Sequence, residues 1–156
     1  MATTTLDFER SSVASSAGQR RLLEELTRYT REAKANGRTV FESPLVRHRV
    51  VDRWVEMEMS RLLSYRVVSM QSAGMVPNYE SSIVKLYNSE LNQRLAQAGM
   101  YALGLHGQLR PRSPGARLKG RFERLYLTSA GSTIAAGTSE IQRNIIATRG
   151  LGLPRV

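Results

Sequence analysis

The chain has 156 residues, of which 41% are hydrophobic and 23% charged, and a net charge of +10; this balance predicts one folded domain with a core of its own. It has no cysteine, which excludes disulfide scaffolds, thiolate metal sites and cysteine nucleophiles, and His48 and His106 lie too far apart in sequence to suggest a zinc site or a Ser-His-Asp hydrolase. Twenty of the 23 basic residues are arginine, yet acids are interleaved with them and no RNP, zinc-finger or basic-zipper pattern occurs, so no nucleic-acid partner is expected.

Residues 7–35 carry apolar side chains at helical spacing, at positions 13, 14, 17, 22, 23, 26, 29 and 33. They predict a first helix ended by Asn36-Gly37. Ser43-Pro44 predicts the start of a second helix, with Ser43 as N-cap and Pro44 at the first helical position, running to about Ala73. Its apolar stripe is Val50, Val51, Trp54, Val55, Met59, Leu62, Leu63, Val67 and Met70, with Arg66 among them. A third helix is expected over 79–104, with Ile83, Tyr87, Leu91, Leu95, Ala98 and Ala102 on one face. Residues 104–108 read as a loop, and 108–120, with their prolines, glycines and basic residues, as an exposed connection. A short helix is expected over 121–130 and a last one over about 139–149. The expected fold is all-α, an antiparallel four-helix bundle forming a single domain over residues 1–156. No apolar run has the length of a membrane span and no signal peptide opens the chain, so no membrane partner and a cytoplasmic location are expected. Neither GxGxxG nor a Walker loop occurs.

Two places carry possible chemistry. Ala136-Gly137-Thr138-Ser139-Glu140 sets small residues and hydroxyls at a helix start, where exposed N–H groups favour an anion such as a phosphate; a plain capped helix is the alternative. Asp7-Phe8-Glu9-Arg10 puts acids in a first helical turn. There they complement the helix dipole, and one becomes a general base only if it is set against an acidic C–H and tuned by partial burial.

The run Gly137-Thr138-Ser139-Glu140-Ile141-Gln142-Arg143-Asn144-Ile145-Ile146-Ala147, followed by Gly150-Leu151-Gly152-Leu153-Pro154-Arg155, resembles the C-terminal signature of acyl-CoA dehydrogenases. Pro44-Leu45-Val46-Arg47, Arg61-Leu62-Leu63-Ser64-Tyr65-Arg66, Ser82-Ile83-Val84-Lys85-Leu86 and Ser89-Glu90-Leu91-Asn92-Gln93-Arg94-Leu95 extend the resemblance over essentially the whole chain, nearest the bacterial branch.

The resemblance implies FAD as cofactor in the complete protein, an acyl-CoA substrate oxidised to trans-2-enoyl-CoA, an electron-transfer flavoprotein as partner, and a homo-oligomer packed through the bundle. Many family members place the base immediately before the Gly-Thr pair, where this chain has Ala136. A second subgroup places it in a Glu-Arg pair at the start of the first helix, which matches Glu9-Arg10. The resemblance therefore implies Glu9 as base and Asp7, Phe8 and Arg10 as substrate contacts. It also implies that Gly137 lies against the thioester and that Thr138, Ser139 and Glu140 contact FAD; no metal is implied.

Three departures stand beside it. The family's Arg-x-x-Phe-Gly flavin motif is here Arg38-Thr39-Val40-Phe41-Glu42, without the glycine. Its Gln-x-x-Gly-Gly is here Tyr101-Ala102-Leu103-Gly104-Leu105. The family's N-terminal helical domain and β-domain, which supply much of the flavin and acyl pocket, are not in this chain, so the expectation is a domain fragment that is inactive on its own. A non-catalytic oligomerisation bundle or partner subunit is the competing reading. His48, His106 and the basic stretch 110–124 are expected in solvent, and Trp54 and the methionines of the second helix in the core or at a subunit contact.

Overall fold

Three long helices carry the architecture. The computed structural model describes residues 13–155. Helix α1 is Val13–Glu32, α2 is Pro44–Ser72 and α3 is Tyr79–Leu103. Two shorter helices follow, α4 (Arg121–Ser132) and α5 (Ser139–Ile145), the latter running into a π turn at Ile146–Gly150. The result is the expected all-α bundle. Its core joins Leu23 and Leu26 of α1, Val46, Val50 and Met57 of α2, Leu95, Ala102 and Leu103 of α3, and Phe122 of α4. Burial of such side chains drives the assembly at about 25 cal/mol per Å² of apolar surface. Among the described residues no helix is long and apolar enough to cross a membrane.

The first helix ends earlier than expected. It stops at Glu32, and Lys34–Ala35 (β1) pairs antiparallel with Arg38–Thr39 (β2). Asn36 and Gly37 form the two-residue hairpin turn, with φ of 51° and 80°. Asn-Gly serves a helix C-terminus and a tight hairpin equally well, because both need left-handed backbone. Here the register Lys34 to Thr39 decides for the hairpin. Residues 104–108, expected as a loop, form a 3-10 turn. The connection 108–120 is mostly exposed, as expected, and Gly120 at its end is buried against the Pro111 backbone.

The apolar stripe expected on α2 is divided: Val50 and Val67 are buried and Trp54 packs against the core, but the rest does not face it. Val51, Val55, Met59 and Leu62 are exposed, Val55 by 58% and Leu62 by 60%. The buried face is Val46, Val50, Met57, Ser60, Ser64 and Val67. Its serines answer polar groups on the neighbouring helices. Gln19 Nε2 donates to the Asn88 carbonyl at 3.1 Å and to Asn92 Oδ1 at 3.0 Å, and the Ser60 hydroxyl meets Gln19 Oε1 at 3.4 Å and Asn88 Oδ1. Ser64 donates to the Ser60 carbonyl at 2.9 Å. A polar seam at the centre of three helices needs small partners and leaves the bulky apolar residues outside. Ser43 precedes α2 as expected, but its side chain makes no capping bond. Trp54 lies partly in the core and donates from Nε1 to Thr27 Oγ1 at 2.9 Å.

Candidate functional site

The site builds outward from the turn before α5. Ala136 and Gly137 both have positive φ, 54° and 93°. Thr138 follows as N-cap, its Oγ1 accepting the Ile141 N–H at 3.3 Å. The Ser139 N–H donates to the Thr133 carbonyl at 3.0 Å and so closes the loop between α4 and α5. The Glu140 carboxyl is held below the usual carboxylate range, first by its own backbone N–H and then by the Thr138 side chain. The helix start is therefore satisfied by its own side chains: it is a capped helix, and the anion seat considered from sequence is filled internally.

Thr138, Ser139 and Glu140 line one cleft of about 430 Å³ against α3. These three consecutive residues are the cofactor contacts implied by the resemblance, and all of them face this cleft. Ser139 is buried, and its Oγ has no hydrogen-bond partner. Glu90, Arg94 and Arg143 also line the cleft and belong to a relay of charges that continues beyond it. Arg143 meets Glu90 at 2.5 Å, Arg94 meets Glu90 at 3.7 Å and Glu56 at 3.0 Å, and Arg53 meets Glu56 at 2.7 Å. It ties α5 to α3 and α3 to α2. Gln93 of α3 donates to Thr133 Oγ1 at 3.5 Å and anchors the same loop.

The two altered flavin motifs meet elsewhere. Arg38, Thr39, Val40 and Glu42 share a cleft of about 1160 Å³ with Tyr101, Leu103, Gly104 and His106. His106 is thus exposed, as expected, but at a cleft mouth. Glu42 stands where the family motif has glycine. Its carboxylate accepts the Thr39 N–H at 3.2 Å and the Thr39 hydroxyl at 3.0 Å. Those bonds, with Arg38 and Lys34 nearby, hold it below its ordinary pKa. The fit to a flavin dinucleotide is therefore divided. The Ser139 hydroxyl, buried and without a partner, suits a polar cofactor edge. The loop at Thr39 spends its donors on its own carboxylate and does not suit a phosphate. The two clefts share no lining residue.

Asp7, Phe8, Glu9 and Arg10 lie outside the described residues. Sequence reasoning did not single out Gln142, which is fully buried and donates from Nε2 to the carbonyls of Ala136 and Gly137. The available signal was spacing: Gln142 lies three positions after Ser139, and these two are the buried residues of the helix.

Residues 1–151 match the family model described as acyl-CoA dehydrogenase, C-terminal domain. Acyl-CoA dehydrogenase FadE26 of Mycobacterium tuberculosis is 32% identical over 160 residues, which cover 99% of this chain and 40% of that protein. A solved structure named Tcur3481-Tcur3483 steroid ACAD superposes with a TM-score of 0.87 at 30% identity, covering 97% of this chain and 38% of that one. The ChsE4-ChsE5 complex from Mycobacterium tuberculosis gives a TM-score of 0.82 at 31% identity, covering 93% of this chain and 37% of that one. The chain thus spans about two-fifths of the length of these relatives. Family model, sequence identity and superposition agree along the whole bundle: the chain belongs to the acyl-CoA dehydrogenase family, matching its C-terminal domain.

Proposed function

We propose that this bundle serves the α,β-dehydrogenation of an acyl-CoA thioester, within an assembly whose other walls come from further polypeptide. The observation that carries the reading is the folding of Thr138, Ser139 and Glu140 onto one cleft beside the Ala136–Gly137 turn. In this reading the Glu9 carboxylate takes the proton from the carbon next to the thioester carbonyl, and Asp7, Phe8 and Arg10 hold the CoA moiety. The Gly137 backbone lies against the thioester, and Thr138 and Ser139 hold a flavin edge. FAD, when bound, supplies the hydride-accepting chemistry. An electron-transfer flavoprotein is the proposed redox partner.

One relative is named as a complex, ChsE4-ChsE5, which supports a partner subunit; the steroid in the name of another supports a bulky acyl group. The exposed apolar row Val51, Val55, Met59 and Leu62 on α2 supports assembly through the bundle.

A second reading is favoured by Glu42. A chain whose Thr39 loop is closed by its own carboxylate suits a non-catalytic subunit that completes a partner's site. The visible absorption spectrum of the purified chain, alone and assembled with the missing domains, separates the two. A bound flavin band, with turnover of an acyl-CoA that Glu9→Gln lowers at least about 100-fold while the band stays, supports the dehydrogenase reading, since general base catalysis is worth that much. Full turnover by Glu9→Gln removes Glu9 as base and leaves the subunit reading.

A further inference from the structure

The turn before α5 is intrinsically unfavourable. Ala136 holds φ at 54° and Gly137 at 93°, and an alanine adopts left-handed backbone only at a cost. Gln142, wholly buried, answers it: Nε2 donates to the Ala136 carbonyl at 3.2 Å and to the Gly137 carbonyl at 3.4 Å. Its Oε1 has no partner. Flipping the amide would set that oxygen against two carbonyl oxygens, so the orientation is settled by the turn. The fold thus tolerates an unpaired buried acceptor to keep the amide nitrogen where it is. A role in packing alone would be better met by methionine or leucine, which fill similar space without a polar atom. The contact is tight from both sides, because a Cβ on Gly137 would lie 2.6 Å from Gln142 Nε2, with Ile141 Cγ2 next at 3.6 Å.

We propose that Gln142 is a positioning residue: it clamps the Ala136–Gly137 backbone in the shape against which the substrate thioester is laid. The thioester half of this statement rests on the dehydrogenase reading; the clamp does not.

The test is Gln142→Met, examined in two ways. In the chain itself, the Ser139 amide, bonded to the Thr133 carbonyl at 3.0 Å, is followed by hydrogen exchange alongside the melting temperature. The clamp predicts exchange faster by about fivefold or more, the worth of one hydrogen bond, with the melting temperature unchanged or raised. In the assembled flavoprotein it predicts a kcat at least about tenfold lower, with KM for an acyl-CoA little changed, the pattern of an interaction that matters in the transition state. Unchanged Ser139 exchange overturns the clamp. So does a lowered melting temperature with exchange accelerated uniformly along α5, which is the behaviour of an ordinary core residue. If the wild-type assembly turns over no thioester, the dehydrogenase reading fails and the exchange result alone decides the clamp. Gly137→Ala supplies a second variant that leaves the inner face of α5 intact. It must reproduce the local acceleration, and the double variant must be no worse than the more severe single one; additive effects overturn the proposal.

Discussion

The ring of Phe122 fills the space that a side chain on Gly99 would need: a Cβ there would lie 1.9 Å from Cδ1 and 2.3 Å from Cε1. Phe122 is fully buried, so the ring has nowhere to retreat. This one contact sets how closely α4 lies on α3. Alanine normally stabilises a helix relative to glycine by up to about 1 kcal/mol. At position 99 the sign reverses. Gly99→Ala is expected to lower stability by about 3 kcal/mol, the upper end of overpacking costs, read from a denaturant midpoint. In a Phe122→Ala background the same change is expected to be neutral or favourable. A Gly99→Ala chain as stable as the wild type would show that α4 shifts freely on α3.

The polar seam makes a second prediction. Ser60 and Asn88 are both buried, and their hydrogen bond joins α2 to α3. Ser60→Ala leaves the Asn88 oxygen short of a donor and is expected to cost about 1–3 kcal/mol. Asn88→Ala also strips an acceptor from Ser60, so the two changes are not additive. A double-mutant cycle is expected to return a coupling of at least about 0.5 kcal/mol. Additive losses would mean that the seam is a set of independent contacts.

Glu140 carries the pH dependence at the candidate site. Its carboxyl sits below the usual value in the folded chain because its own N–H and the Thr138 side chain bond the charged form. A group depressed on folding stabilises the fold above its unfolded pKa, and that contribution is lost as pH falls through the folded one. The difference in melting temperature between wild type and Glu140→Gln is therefore expected to be full near pH 7, to shrink below about pH 4.5, and to vanish at lower pH. A difference that stays constant between pH 7 and pH 3 would assign the effect of the substitution to something other than ionisation.

Glu42 makes the proposed flavin loop testable. Its carboxylate occupies the N–H and hydroxyl of Thr39. Glu42→Gly restores the family residue and frees both donors. FAD affinity of the assembled protein, followed by flavin absorbance or fluorescence, is expected to rise severalfold. Equal affinity in the two chains would show that the carboxylate is not what closes this loop.

Much of the fold was legible in the sequence because its signals are local. The 3.6-residue apolar spacing of Leu23 and Leu26, or of Leu91 and Leu95, marks helices whatever they pack against. Pro44 and Gly104 mark their ends through backbone geometry alone. The hairpin at Asn36-Gly37 was missed because that dipeptide serves two structures with the same backbone angles. The stripe on α2 was misread in part, for a different reason: Val50 and Val67 are buried as expected, the others not. Periodicity reports that residues share a face, but not which neighbour the face meets, and here Ser60 and Ser64 face the core while Val55 and Leu62 face outward.

The sequence by itself determined the helical class, the helix boundaries to within a few residues and, through the run from Gly137 to Ala147, the family. Those depend on residue identity and spacing along the chain. Only the tertiary structure decided that Thr138, Ser139 and Glu140 share one cleft while Arg38 and Gly104 share another, and that Gln142 grips the turn at Ala136 and Gly137. Each of these is a contact of a few ångströms between side chains and backbone brought together by packing, and a one-dimensional pattern carries no distance.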